Sequence, residues 1–528
     1  MEQGSELFPF HYRRSLQRLQ LEITIRISQN ACGRGRGIEV AMIDRKELQK
    51  KAEQLIERYQ IPSVSITYYQ NGSFETVNAG YKDVENQIPA DADTLYSIGS
   101  CTKSFTAAAI AVLCDKGLLR LEDPVATVLP EFGMYDPYAG SHLTIRDMLC
   151  HRCGLPRHEL AWYPRLSQYN EKQMIDMLRF LKPNEPFRYK MQYQNMMYTL
   201  AGFVISRVSG TTWEKFVQEN LIAPLDMGPI SYDAPQLETF EGRARGYRFF
   251  EDGDVPGNRQ VPYCPLYTMC PAGSISMTST QLAKWDALFL NKGKANGKQI
   301  ISEEMCTQMF SPQMLLSDPI AAPLQGYLDM CSYGLGFFVE NYRGTKVVQH
   351  GGHIDGFIAD QCFVPEKDFA CSVLTNSENP YGARVIRYLL LDEALGLEPV
   401  DWIGNFLSFH NDMKQKQAEA LTSRGAVKSQ SDEYPCPAPL SAICGSYADN
   451  GYGDITIREE ENGLALELGT LTLHGFHCRS QYFLFTEEHV LPGVQLEAEA
   501  EIDREGNVTA FLVALETTAT EKIRFIRK

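Results

Sequence analysis

Ser100-Cys101-Thr102-Lys103 sets a hydroxyl and an amine three residues apart, which on a helix is one turn and one face. The following stretch, Phe105 to Leu113, consists of good helix formers, and Gly117 supplies a C-terminal stop. The spacing therefore predicts Ser100 at a helix N-terminus with Lys103 beside it. There the exposed N–H groups and the helix dipole disfavour an ammonium and stabilise negative charge on an attacked oxygen. The neutral amine that results can take the serine proton, which a weak hydroxyl nucleophile needs. Roughly one Ser-x-x-Lys is expected by chance in a chain of this size, so the pattern needs support from elsewhere.

Two further groups of residues supply it. Tyr193-Gln194-Asn195 precedes the strongly helical Met196 to Val208, which stops at Gly210. A Tyr with an Asn two residues on can present a phenol for proton transfer and an amide for a substrate carbonyl. A capping Asn beside a core Tyr is the plainer alternative. Further on, Val347-Val348-Gln349-His350-Gly351-Gly352-His353 reads as a strand running into two glycines. Glycine weakens a strand interior unless a ligand or another backbone comes close. An imidazole followed by bare strand backbone suits an edge that binds substrate; a plain turn before Ile354-Asp355-Gly356 is the alternative.

These residues need a scaffold. Asp44 with Glu47 forms a capping-box pattern ahead of a helical stripe of Leu48, Ala52, Leu55 and Ile56. Ser63 to Tyr69 and Phe74 to Ala79 flank Asn71-Gly72, a strong hairpin signal. Helical and loop-rich text fills roughly 95–330. Strands return at Leu335–Glu340, Thr345–Gln349, Phe357–Val364 and Cys371–Thr375, followed by a helix over Arg384–Leu395. Strands at both ends of a helical middle predict an α+β fold, one antiparallel sheet assembled from distant segments and flanked by helices, with a helical subdomain. Residues 404–420 read as a polar helix and 421–439 as a linker. From Cys444 onward about seven alternating runs, from Asp454–Arg458 to Ile523–Ile526, predict a small all-β barrel or sandwich. Asn462-Gly463, Pro492-Gly493 and Gly506-Asn507 mark its turns. The division expected is an extension over 1–41, a catalytic domain over 42–403, a helix and linker over 404–439 and a barrel over 440–528. Residues 1–41 hold six Arg and no Lys, and Met42 reads as close to the biological start.

Composition narrows the partners. The 528 residues carry a formal charge of −16, which repels phosphate backbones and anionic lipid, so neither nucleic acid nor membrane is an expected partner. No apolar run approaches a membrane span, and no signal sequence is legible. The 14 cysteines are too dilute for a disulfide framework and read as mostly reduced and buried, hence a cytoplasmic protein. Cys150-His151-Arg152-Cys153 imitates half a zinc site, but no second Cys-x-x-Cys completes it. No Gly-x-Ser-x-Gly elbow is present, which argues against the α/β-hydrolase route to serine chemistry.

Taken in order, Ser100-x-x-Lys103, Tyr193-x-Asn195 and His350-x-Gly352 resemble the serine β-lactamase-like superfamily, on its class C β-lactamase and penicillin-binding-protein branch. The likeness extends to residues 143–158, 271–285 and 333–340, and residues 447–457 resemble the lipocalin-like barrel appended to many of these hydrolases. The resemblance implies Ser100 as acylated nucleophile, Lys103 as its base and Tyr193 as proton shuttle. It implies substrate contacts at Asn195, His350 and Gly352, and an oxyanion hole from the N–H groups of Ser100 and His353. No metal or organic cofactor is implied. His350 stands where β-lactamases have a Lys, and a mostly neutral imidazole offers no permanent cation to a substrate carboxylate. An esterase, amidase or peptidase acting on a small or peptide substrate is therefore expected. A true β-lactamase, D,D-peptidase or D-aminopeptidase is the alternative within the class, and a catalytically silent scaffold the alternative outside it. The barrel leaves two roles open: restricting access to the cleft, or self-association into a homo-oligomer.

Overall fold

Asp44 starts the first helix, α1 (Arg45–Tyr59), by accepting from the backbone N–H groups of Lys46 and Glu47 at 2.9 and 3.3 Å. The predicted capping box is only half built. The Asp44 N–H donates instead to Glu393 Oε1 at 2.9 Å, on a helix far along the chain. Leu48, Ala52, Leu55 and Tyr59 are buried, the spacing of one apolar helix face, with Ile56 half-buried at its margin. The protein is seen here as a computed structural model that describes residues 42–250, 257–424, 433–461, 463–487, 494–516, 518–519 and 521–528.

The α1 face packs on a nine-stranded antiparallel sheet. Its strands are β1 (Ser63–Gln70), β2 (Ser73–Asp83), β3 (Ile88–Pro89), β4 (Met314–Leu315), β5 (Leu328–Tyr333), β6 (Phe338–Tyr342), β7 (Thr345–Ile354), β8 (Phe357–Val364) and β9 (Phe369–Thr375). Their spatial order is β4-β5-β6-β7-β8-β9-β1-β2-β3. The predicted Asn71-Gly72 hairpin joins β1 to β2, with φ of 51° and 81° at the two turn residues. The long-range join is between β1 and β9, in register from Val64↔Thr375 to Gln70↔Phe369. Strands β8 and β9 are buried at every position because helices cover both faces. A helical subdomain containing α2 (Thr102–Asp115), α3 (Asn195–Ser209) and α4 (Ser279–Leu290) lies on one side. Helix α1 with α5 (Gly382–Ala394) and the start of α6 (Trp402–Arg424) lies on the other.

Two strand expectations change in ways that matter for the site. The run Leu335–Glu340 is not one strand: Gly336 turns the backbone to φ +82°, and the strand begins only at Phe338 after the hairpin from β5. Strand β7 does not stop at Gln349 but continues through both glycines to Ile354, paired with β8 throughout. Strand β6 pairs with it only as far as Phe338↔Gln349. From His350 onward the other side of β7 is therefore an open edge.

The C-terminal region is a closed barrel of eight antiparallel strands: β10 (Gly445–Asp449), β11 (Gly453–Glu460), β12 (Gly463–Leu468), β13 (Leu471–Arg479), β14 (Tyr482–Glu487), β15 (Val494–Ile502), β16 (Val508–Val513) and β17 (Ile523–Arg527). The strand absent from the expected seven, β10, closes the barrel against β17 through Tyr447↔Arg527 and Ala448↔Ile526. Tyr447, Phe483, Phe485, Phe511 and Phe525 fill it and are buried. Closure leaves no free sheet edge. The architecture is thus the expected α+β fold followed by a small all-β barrel. Helix α6 runs on to Arg424, past the expected end at 420. Residues 1–41, the linker segment 425–432 and the predicted turn residues Asn462 and Pro492-Gly493 lie outside the described residues. Among the described residues no helix is long and apolar enough to cross a membrane.

Candidate active site

Ser100 sits in a short 3₁₀ turn, Gly99–Cys101, that runs directly into α2. Lys103, on the first turn of α2, is 0% exposed, and its Nζ lies 3.0 Å from Ser100 Oγ. The amine also donates to the Ala272 carbonyl at 2.6 Å. Among the described residues no carboxylate pairs with it. Burial, and then the nearby Arg157 guanidinium, hold its pKa well below the ordinary lysine range. The Tyr193 hydroxyl is hydrogen-bonded to Ser100, and burial pushes that phenol above its usual range. Lys103 Nζ also lies over the Tyr193 ring, 5.0 Å from its centroid.

Local sequence explains these placements. Gln194 caps α3, its Oε1 accepting from the Met196 N–H at 3.0 Å while its Nε2 donates to the Pro156 carbonyl at 2.6 Å. That cap fixes Tyr193 before the helix and Asn195 as its first residue. The Asn195 amide donates to Glu159 Oε1 at 3.2 Å. On the opposite wall β7 runs past the Ser100 turn at close quarters. A Cβ on Gly352 would stand 1.8 Å from the Ile98 carbonyl oxygen, and one on Gly99 would stand 2.7 Å from the His353 backbone nitrogen. Only glycine admits this approach, and it brings the backbone of His353 alongside Ser100; the His353 side chain is exposed.

His350 is 1% exposed. Its Nδ1 lies 2.6 Å from the Gly351 carbonyl, which can only accept, so the ring proton is on Nδ1. Nε2 then accepts from the Tyr333 hydroxyl at 3.0 Å. Burial, and then Lys103, depress its pKa to about 3, so the ring is neutral at pH 7.

Ser100, Tyr193, Asn195, His350, Gly352 and His353 all line one cleft of about 1250 Å³, with Lys103 directly behind Ser100. Sequence reasoning missed four other residues here. Arg157 and Glu159 form an ion pair at the cleft wall, the guanidinium stacked over the Tyr193 ring at 5.2 Å. Tyr333 holds His350. His151, set aside with its neighbours as a poor metal motif, is fully buried, with ring centroids 4.4 Å from Tyr193 and 4.7 Å from Tyr333. Its Nδ1 accepts the Gln194 N–H at 3.1 Å. A histidine directly after the apolar helix end Met148-Leu149-Cys150 was the signal available for His151; Arg157 and Glu159 gave none. Among the described residues no group of three or more His, Cys, Asp or Glu is placed to hold a metal ion, and every cysteine there carries a free thiol.

The family model described as Beta-lactamase matches residues 48–395, about two thirds of the chain. The chain belongs to the Beta-lactamase family. Within this family's span fall the Ser100 turn, the Tyr193 segment and β7; the barrel lies beyond it. The chain is similar to an unguisins hydrolase of Aspergillus campestris, 25% identical over 439 residues that cover 79% of this chain and 78% of that one. Its fold is similar to that of an octameric penicillin-binding protein homologue from Pyrococcus abyssi, with a TM-score of 0.58, 22% identity and coverage of 92% and 100% of the two chains. A D-amino acid amidase from Ochrobactrum anthropi, 24% identical with a TM-score of 0.54, covers 67% of this Beta-lactamase family chain, and 98% of the amidase is matched.

Proposed function

We propose that this chain is a serine hydrolase that cleaves an ester, amide or peptide bond of a small substrate through a covalent acyl-enzyme on Ser100. The observation that carries the reading is the buried Lys103 amine, 3.0 Å from Ser100 Oγ and without a carboxylate partner among the described residues. An amine in that state is a base at neutral pH.

As Ser100 Oγ bonds to the substrate carbonyl carbon, its proton passes to Lys103, with Tyr193 in contact with the same oxygen. The carbonyl oxygen takes up the negative charge against the N–H groups of Ser100 and His353. Collapse breaks the bond to the leaving group, which departs with the proton returned through Tyr193. Water then attacks the acyl carbon, the same groups removing its proton, and Ser100 is restored. Asn195, with its amide nitrogen engaged by Glu159, turns Oδ1 to a substrate N–H. The bare backbone of Gly352 gives the substrate a strand edge to lie against.

Neutral His350 supports ester, amide or peptide cleavage over β-lactam or D,D-peptide hydrolysis, because neither ring nitrogen offers a cation to a carboxylate. The likeness to an unguisins hydrolase supports a hydrolytic reaction. We read the C-terminal barrel as lipocalin-like, and the free thiols support a reducing, cytoplasmic setting.

Ser100→Ala tests the reading with little change in volume. It is expected to abolish turnover of a p-nitrophenyl ester and labelling by a fluorophosphonate probe, with an unchanged melting temperature. Turnover equal to that of the unsubstituted protein overturns it.

A further inference from the structure

His158 is a bulky residue held in the left-handed region, at φ +46°. Such a conformation persists only where the surroundings over-determine it. Here they do, and the barrel supplies two of the three contacts. The His158 N–H donates to Glu516 Oε2 at 2.7 Å, just beyond β16. Nε2 lies 2.9 Å from the Lys182 carbonyl, so it carries the ring proton, and Nδ1 accepts from the Tyr452 hydroxyl at 2.7 Å, in the turn between β10 and β11. Glu516 is itself held, its Oε1 accepting from the Thr518 N–H at 3.0 Å and hydroxyl at 2.7 Å. His158 and Tyr452 are each 1% exposed, so these bonds exchange with no solvent.

The residues on either side of His158 point the other way. Arg157 and Glu159 form the ion pair of the cleft wall; Arg157 covers Tyr193, and Glu159 holds the Asn195 amide. A few residues on, the Arg165 guanidinium donates to the Tyr452 and Asp454 carbonyls, and the Thr470 N–H donates to the Pro164 carbonyl at 2.8 Å. The same stretch of chain is thus nailed to the barrel on one side and lines the cleft on the other.

We infer that the barrel is a working part of the cleft: Tyr452 and Glu516 are positioning residues that act through His158 to set where Arg157, Glu159 and Asn195 meet the substrate. The inference rests on the hydrolase reading for its kinetic consequence but not for its structural one. Loss of the Tyr452 hydroxyl leaves the ring to pack and removes only the bond to Nδ1. Sub-ångström looseness then passes to the wall, and substrates long enough to touch it suffer most.

The full-length chain carries the test. Tyr452→Phe and Glu516→Leu are expected to lower kcat/KM for a dipeptide p-nitroanilide roughly tenfold, mostly through KM, while turnover of p-nitrophenyl acetate stays within about twofold. Glu516→Gln, which keeps an oxygen for the His158 N–H, is expected to restore most of the loss. In an Arg157→Ala background, Tyr452→Phe is expected to cost less than it does alone, because one of the wall residues it acts through is gone. Hydrogen exchange of a peptide spanning 155–162 is expected to speed up in Glu516→Leu whether or not the protein turns over a substrate. Losses that multiply independently with Arg157→Ala, an equal loss on the acetate ester, or unchanged exchange overturn the inference. An absence of fluorophosphonate labelling in the unsubstituted protein strikes the hydrolase reading instead and leaves the exchange result standing.

Discussion

The close approach of β7 to the Ser100 turn can be tested by one methyl group. In Gly352→Ala the new Cβ would stand 1.8 Å from the Ile98 carbonyl oxygen, 2.9 Å from its carbon and 3.2 Å from the Cys101 nitrogen. All three are backbone atoms, so no side chain can swing away. An ordinary carbon–oxygen contact is about 3.3 Å or more, so β7 must retreat by about 1.5 Å. The His353 N–H retreats with it, and an oxyanion donor displaced by an ångström costs about a hundredfold, or about 2.7 kcal/mol of barrier. Overpacking adds a stability loss of about 1–3 kcal/mol. Gly351→Ala is the comparison, because its Cβ meets nothing nearer than the Ala359 carbonyl at 3.9 Å. Steady-state turnover of a p-nitrophenyl ester, with melting temperature measured alongside, is expected to show a loss of about a hundredfold at 352 and less than about fivefold at 351. Equal, small losses at both positions refute the assignment of the β7 backbone to the oxyanion.

Two other perturbations follow from the buried groups behind Ser100. Lys103→Met is expected to cut kcat by about 10²–10⁴ and yet raise the melting temperature. Because burial depresses the folded-state pKa of Lys103, the unfolded chain binds a proton that the native state refuses; that penalty is absent above the unfolded lysine pKa and grows as pH falls below it. The stability gain of Lys103→Met should therefore widen from pH 10 downward in denaturant titrations, and a constant gain across pH contradicts a depressed amine. His151→Ala removes the acceptor of the Gln194 N–H and the ring packed against Tyr193, and is expected to lower kcat about tenfold with KM little changed. A compensating fall in KM would argue against a role in holding Tyr193.

What could be read from the sequence was local. Ser100 and Lys103 share one helical turn, Tyr193 and Asn195 stand directly before a long helical run, and the glycines of β7 have no neighbourly reason to be there, so the three short patterns together exposed them; the residue that caps the helix is Gln194, not Asn195. The hairpin at Asn71-Gly72 was legible for the same reason. The missing parts depend on chain segments that only tertiary structure joins. Asp44 looked as if Glu47 would complete its cap, but Glu393 outcompetes it from α5. Arg157 and Glu159 gave no signal in the sequence because their partners, Tyr193 and Asn195, arrive from another element. His151 was obscured by two cysteines that suggested metal ligation, whereas its burial among aromatic rings gives it a backbone N–H to accept. Gly336 broke an expected strand because a left-handed backbone was needed there to fold the hairpin over α2.

The distribution of charge around Ser100 has a consistent logic. Lys103, His151 and His350 are all buried, and burial drives each toward its neutral form. The charges also oppose one another: Lys103 lowers both histidines, and His350 lowers His151. A carboxylate among them would relieve that resistance but would also fix the lysine as an ammonium, unable to take the serine proton. The acids are instead held at the wall, where Glu159 is matched by Arg157. The inner site thus refuses a standing charge, and on the mechanism proposed above it accepts one briefly, when the serine proton arrives on Lys103 as the oxyanion forms a few ångströms away. The two opposite charges then appear together and stabilise each other in a dry environment, where such an interaction is strongest. A permanent cation at position 350 would add a second positive charge beside the protonated amine. Neutral His350, locked by Tyr333 and the Gly351 carbonyl, keeps the base strong at the cost of a carboxylate anchor.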